Sequence, residues 1–235
     1  MVLNLELPVV ETKQETPDVK SIKLGLNEKV DCKPGQYMMV ELDVNDPENG
    51  NIRSLSIASS PTEDFLLFST KISQSIFKQK FNSLKVGDKV KLKGPMGIFV
   101  LKEDAKEIVL LGGGIGITPF RDMIKYACDK KLAIKLTLLY SNKTPADIVY
   151  KDEWPLFEKE NPNLKIVHTI TDNTTGWQGR TGRINEELIK EFCSDISNAI
   201  FYICGPPGMV DGLSNLLKTM NVPQSNIKIE KFVGY

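Results

Sequence analysis

Several things that would point to a metal, a membrane or a nucleic acid are scarce in this chain of 235 residues. The four cysteines, Cys32, Cys128, Cys193 and Cys204, form no C-x-x-C pair, so zinc and iron–sulfur ligation are not expected and no metal site is assigned. An even count is compatible with disulfides. However, the chain is large and its first residues, "MVLNLELPVVETK", lack the basic start of a secretion signal, so free thiols in a cytoplasmic protein are expected. No apolar run approaches the roughly 20 residues of a membrane span, so membrane insertion is not expected. Basic and acidic residues balance at 30 each, which gives no reason to expect nucleic acid or an anionic surface as partner. Histidine occurs once, at His168, within the apolar "KIVHTI", where a packed or surface strand residue is expected rather than a base. Arginine occurs four times, at Arg53, Arg121, Arg180 and Arg183. A chain that uses lysine by default keeps some arginines where a planar, forked cation is needed. Arg121, on a helix face, is expected at the surface.

What remains is the composition of a globular protein, 41% hydrophobic and 26% charged. Its rhythm changes near residue 102. Before it, "SIKLGL", "YMMVEL", "LSIAS", "FLLFSTKI" and "KVKLKG" are short alternating runs between turn-rich pieces, interrupted by the short helical "SIFKQKFNSL". They predict a small antiparallel barrel or sandwich. After it, "EIVLL", "IKLTLLY", "LKIVHTI" and "AIFYIC" alternate with helical segments such as "PFRDMIKYACDKK", and βαβα order predicts a parallel sheet. The expected architecture is therefore two domains, an antiparallel β-barrel over 1–102 and an α/β parallel-sheet domain over 103–235.

The stretch "EIVLLGGGIGITPF" places Gly112, Gly113, Gly114 and Gly116 between a strand and a helix. Bare backbone N–H groups there suit a pyrophosphate, although a structural turn explains glycines equally well. Thr118 is expected to cap the helix, with Pro119 at its first position.

Three further stretches accompany this one: "RSLSIASSP", "GPMGIF" and "YICGPPGMV". In this order and spacing, with the terminal "EKFVGY", they resemble the ferredoxin–NADP reductase superfamily over nearly the whole chain. The resemblance implies an FAD-binding barrel followed by a nicotinamide-binding domain. It assigns Arg53 to the flavin diphosphate and Ser56 to the neighbourhood of the flavin N5, with Ser54 and Leu55 between them. Leu55 stands where many relatives stack an aromatic on the ring. Thr70, Lys71, Ser75, Ile76 and Phe77 correspond to the segment along the flavin ribityl and diphosphate. Gly113, Gly114, Ile115, Gly116 and Thr118 would take the nicotinamide pyrophosphate, with Cys204, Gly205 and Pro206 beside the nicotinamide. Glu230 and Tyr235 would border the flavin. The "GPMGIF" segment is expected to shape the barrel end and the domain interface.

The implied reaction passes a hydride from a reduced nicotinamide to FAD and then electrons to a separate acceptor, ferredoxin first, with Ser56, Cys204 and Glu230 nearest the chemistry. An electron-transfer subunit of a larger complex, or a free flavin or quinone reductase, is the alternative. An acidic ferredoxin would need a basic surface, for which Lys71, Lys78, Lys80, Lys85, Lys89, Lys91 and Lys93 are candidates. At the end of the third parallel strand, Thr171-Asp172 stand where relatives that prefer NADP carry serine–arginine. A carboxylate there repels a 2′-phosphate, so NADH is expected, with NADPH as the alternative. Lys143, Arg180 and Arg183 are the cations that would reverse this choice, unless the two arginines brace the loop instead.

Overall fold

The computed structural model describes residues 2–172 and 175–232. The expected site residue Tyr235 therefore lies outside the described residues. The first sheet holds β1 (Leu3–Thr16), β2 (Val19–Gly25), β3 (Tyr37–Glu41), β4 (Ile52–Ser56), β5 (Phe65–Lys71) and β6 (Lys89–Met96), all paired antiparallel in the order β4-β3-β6-β1-β2-β5. β1 serves both halves of the sheet. Residues 3–8 pair with β6, residues 9–16 pair with β2, and a register shift between Val9 and Glu11 bends the strand from one to the other. The sheet curls closed just past β4, where the Ala58 N–H donates to the Leu67 carbonyl of β5 at 2.8 Å. Met38, Val40, Ile22, Leu24 and Phe68 fill the barrel, and the helix α1 (Ile76–Ser83) adds Phe77 and Phe81 to it.

The second sheet is parallel throughout. Its elements are β7 (Glu107–Gly113), α2 (Thr118–Asp129), β8 (Lys135–Asn142), α3 (Trp154–Glu160), β9 (Leu164–Ile170), β10 (Arg180–Thr181), α4 (Glu186–Phe192), β11 (Ile200–Gly205), α5 (Pro207–Thr219) and β12 (Ile227–Lys231). β7 is buried along its whole length, as a strand covered by helices on both faces must be, which is why it reads as one apolar run after Glu107. The strand order is β10-β9-β8-β7-β11-β12. The chain winds outward from β7, then returns to its other side at β11. That reversal opens a crevice beyond the carboxyl ends of β7 and β11, where open sheets of this kind hold ligands.

The two sheets are joined by side chains distant in sequence. Phe99 wedges between Phe120 and Tyr202, with ring centroids 6.2 and 5.2 Å away, and the Tyr202 hydroxyl donates to the Val100 carbonyl at 2.7 Å. Burying such a ring contributes about 1.5–3 kcal/mol. The "GPMGIF" segment thus shapes the interface as expected. Arg121 does not lie at the surface. Its side chain is only 5% exposed, and it donates to Glu63 at 2.9 and 3.1 Å, to Glu153 at 2.6 Å and to the Ala58 carbonyl at 2.8 Å. The helical pattern placed it on a polar face, but that face of α2 is covered by the barrel. Next to it, the buried Asp122 accepts the Gly35 N–H of the barrel at 2.7 Å, and burial pushes its carboxyl well up. Tyr150, held at φ +56°, reaches across to a hydroxyl pair in the barrel, Ser69 and Ser21.

Candidate functional site at the domain boundary

Arg53 leaves β4 beside α1, its guanidinium 5.1 Å from the Phe77 ring. Its Nη1 donates to the carbonyls of Asn49, Gly50 and Ile52 at 2.9, 3.2 and 2.7 Å, and its Nη2 stands 3.6 Å from Asp46. Neutral carbonyls position the cation without cancelling its charge. Leu55, two residues on, packs into the barrel core. Ser54 is exposed and Ser56 is buried. Thr70 is buried at the end of β5, and Lys71 beside it forms an ion pair with Asp18 at 2.7 Å. Ser75 stands at the N-cap of α1 with extended backbone and no side-chain capping bond, so its hydroxyl is not spent on the helix.

One member of this corner escaped the sequence reading as a site residue. Burial, together with the neighbouring charges of Arg53 and Lys71, lowers the pKa of the Lys78 ammonium. Three cations therefore gather around the first turn of α1, offset in part by Asp46 and Asp18. The N-terminus of α1 adds its own partial positive charge beside them. The corner fits a diphosphate. The available signal was position: Lys78 is the third residue of α1, one turn above Ser75. Lys89 and Lys91 lie along β6 within 3.6 and 3.9 Å of Glu6 and Glu41.

Across the boundary, β7 ends in the glycine loop. Gly114 sits at φ +53°, a conformation that a side chain disfavours. Gly116 is pressed on the end of β11, where a Cβ would lie 2.5 Å from the Cys204 carbonyl oxygen. Both glycines are therefore required by the backbone. Residues 114–117 form a 3-10 turn that runs into α2, so Thr118 is not the cap that was expected. Its backbone is already helical, and its hydroxyl donates back to the Ile115 carbonyl at 3.2 Å.

A cleft of about 110 Å³ lies between the halves, lined by Asp18, Val19 and Lys71 from the barrel and by Gly114, Ile115, Asp147, Val149, Pro206 and Phe232 from the parallel domain. Cys204 is fully buried behind it, paired in register with Glu230 of β12. Burial, with the Glu230 charge beside it, raises the pKa of the thiol, so it stays protonated. Burial also pushes Glu230 up to about 7, and its Oε2 has no hydrogen-bond partner among the described residues. A carboxyl poised there can hold a proton near neutrality.

Asp172 stands apart from this group, exposed just past β9, with its N–H donating to the Lys143 carbonyl at 3.0 Å. Arg180 pairs with Glu191 and lies 5.8 Å from the Phe192 ring, so it braces the loop against α4. His168 is packed 5.8 Å from Tyr140, and burial lowers its pKa. The four cysteines are free. No helix among the described residues is long and apolar enough to cross a membrane.

Comparison with known proteins agrees with this arrangement. Residues 6–101 match the oxidoreductase FAD-binding domain family, and residues 110–215 match the oxidoreductase NAD-binding domain family. The chain belongs to the ferredoxin–NADP reductase superfamily. It is an FAD- and NAD-binding oxidoreductase. It is 32% identical over 198 residues to a component of the Na(+)-translocating NADH-quinone reductase of Pseudoalteromonas atlantica, covering 81% of this chain and 47% of that protein. The chain thus spans about half the length of that curated relative. The fold matches the cytochrome P450 reductase of Amycolatopsis with a TM-score of 0.86 at 24% identity, over 98% of this chain and 70% of that one. It matches a ferredoxin NADP+ reductase of Neisseria gonorrhoeae, solved with FAD and NADP bound, with a TM-score of 0.83 at 20% identity, over 97% and 98% of the two chains.

Proposed function

We propose that this reductase takes a hydride from NADH at the interdomain cleft and passes electrons to a separate carrier protein, with a ferredoxin as the first candidate. The observation that carries this reading is that Lys71, part of the cation corner, and Gly114 and Ile115, part of the glycine loop, line the same cleft. Arg53, Lys71, Lys78 and the first turn of α1 hold the diphosphate of FAD, with Ser54 and Ser56 on β4 beside it. Bound FAD supplies a ring that accepts a hydride equivalent and releases electrons singly or in pairs. The glycine loop orients the nicotinamide nucleotide, and Pro206 and Phe232 close the cleft around it and exclude water. Glu230 holds or yields a proton beside the cleft near pH 7, and Cys204 packs behind it as an uncharged thiol. Asp172 favours NADH, because its carboxylate repels a 2′-phosphate. The free thiols fit a cytoplasmic setting. We place the division between the FAD and nucleotide domains at residues 102 and 103.

A second reading, an electron-transfer subunit of a larger assembly, is favoured by one observation. The chain matches 47% of a relative named as one component of a quinone reductase. Three relatives whose names point to quinone, cytochrome P450 and ferredoxin leave the acceptor to experiment. The purified protein should be yellow and bleach on anaerobic addition of NADH. Reoxidation by ferredoxin rather than by a quinone analogue supports the first reading. A colourless protein that takes up no added FAD overturns both.

A further inference from the structure

We propose that Tyr150 is a positioning residue: its hydroxyl, held by Ser69, fixes the width of the cleft in which nucleotide and flavin meet. The proposal rests on the reductase reading and adds to it a residue that no motif singles out. Tyr150 belongs to the parallel domain, and its hydroxyl lies 2.6 Å from the Ser69 Oγ of β5, which lies 2.6 Å from the Ser21 Oγ of β2. Side chains two apart on a strand share a face. Ser21 pairs with Ser69 in the sheet, and two residues on, Val19 pairs with Lys71. Val19 and Lys71 form the barrel wall of the cleft. Val149, the residue before Tyr150, lines the opposite wall. One hydroxyl bond therefore ties the two walls together at residues adjacent to both.

On the other side of this bond the same barrel face, through Lys23 and Leu67, lines a second opening of about 390 Å³. The bond thus stands as a partition between two spaces. The Tyr150 ring is itself fixed on its own side, 6.0 Å from Trp154 edge-on and 5.5 Å below the Arg121 guanidinium. Its backbone, at φ +56°, is in a conformation rare for a bulky residue and swings the ring across the boundary. Burial keeps the phenol protonated, so the bond does not titrate away in the physiological range. Hydride transfer falls steeply when reacting atoms are displaced by an ångström or so, which makes a width-setting bond felt in the rate.

The test uses the full chain loaded with FAD. Tyr150→Phe, Ser69→Ala and the double variant should each fold and retain FAD. In both single variants, flavin reduction at saturating NADH should slow about tenfold, while the NADH dissociation constant stays within about twofold. Amide hydrogen exchange over residues 66–71 and 147–150 should speed up in both, and the double variant should be no slower in reduction than the slower single one. Any other combination overturns the proposal, including parental exchange at these amides or losses that multiply. If NADH fails to reduce the parent, the reductase reading fails instead, and the exchange comparison alone then decides whether the bond holds the walls.

Discussion

Arg53 and Arg121 are chemically the same side chain in opposite circumstances. Arg121 is buried between two carboxylates and a carbonyl, so its charge is met by the protein itself. Arg53 is held mostly by neutral carbonyls, with Asp46 at 3.6 Å, and keeps two lysines as neighbours. A saturated fork is a structural clasp, whereas a fork propped by carbonyls retains charge for something that arrives. Scarcity of arginine marked both positions, and only the partners tell them apart.

The strongest way to break this contrast is Arg121→Ala. Two half-buried carboxylates would lose their cation, and breaking a buried ion pair costs up to about 3–5 kcal/mol, so the thermal midpoint should fall by several degrees. A variant as stable as the parent would show that the clasp is not what joins the domains. Arg53→Ala should behave in the opposite manner, leaving stability nearly unchanged but weakening FAD binding. Charge-assisted hydrogen bonds contribute roughly 1.5–3 kcal/mol, so a titration should read about a tenfold to hundredfold loss. Equal affinity in parent and variant would remove Arg53 from the cofactor site.

Much of the fold was legible because β7, β8, β9 and β11 are apolar enough to announce themselves, and four motifs mark the loops between elements. What was not legible shares one cause: dependence on distant partners. β1 carries Pro8 and a polar second half, and is a strand because β6 and β2 flank it. β12 is a short, mostly exposed edge strand that exists by pairing with β11. Arg121 meets Glu63 and Glu153 across 58 and 32 residues, separations no local pattern reports. The glycine loop and Glu230 stand in motifs visible in the sequence, whereas the gathering of Lys78 with Arg53 and Lys71 needed the fold. Thr118 was misplaced because a 3-10 turn ahead of a helix leaves no mark in sequence distinct from a cap.

Two smaller effects sharpen the comparison from the acidic side. Asp172, exposed just past β9, should set nucleotide choice without touching stability. Asp172→Arg is expected to raise the NADPH/NADH ratio of kcat/KM about tenfold, equivalent to about 1.4 kcal/mol. An unchanged ratio would place the ribose elsewhere. Glu230, half-buried, should do the reverse. Its carboxyl holds a proton up to about pH 7 in the fold, while the unfolded chain releases it near the ordinary value of 4.5. The folded state thus binds more protons between these values, and this group's contribution to stability declines as pH rises through that window. Glu230→Gln removes the decline, so its thermal midpoint should gain on the parent from about pH 4.5 to about 7 and hold level above. A gap that does not vary with pH would mean that Glu230 is ionised throughout.

The close seating of Gly116 on the end of β11 has a consequence for how such a protein can diversify. On the proposed reading the nucleotide lands where two loops press together, and almost any side chain added at Gly116 would collide with the backbone of Cys204 and Gly205. That surface is closed to mutational exploration. Asp172, exposed to solvent just past β9, is open to it. If the proposed roles of Asp172 and the glycine loop hold, coenzyme preference can drift by single substitutions while the grip on the dinucleotide stays fixed by backbone contact.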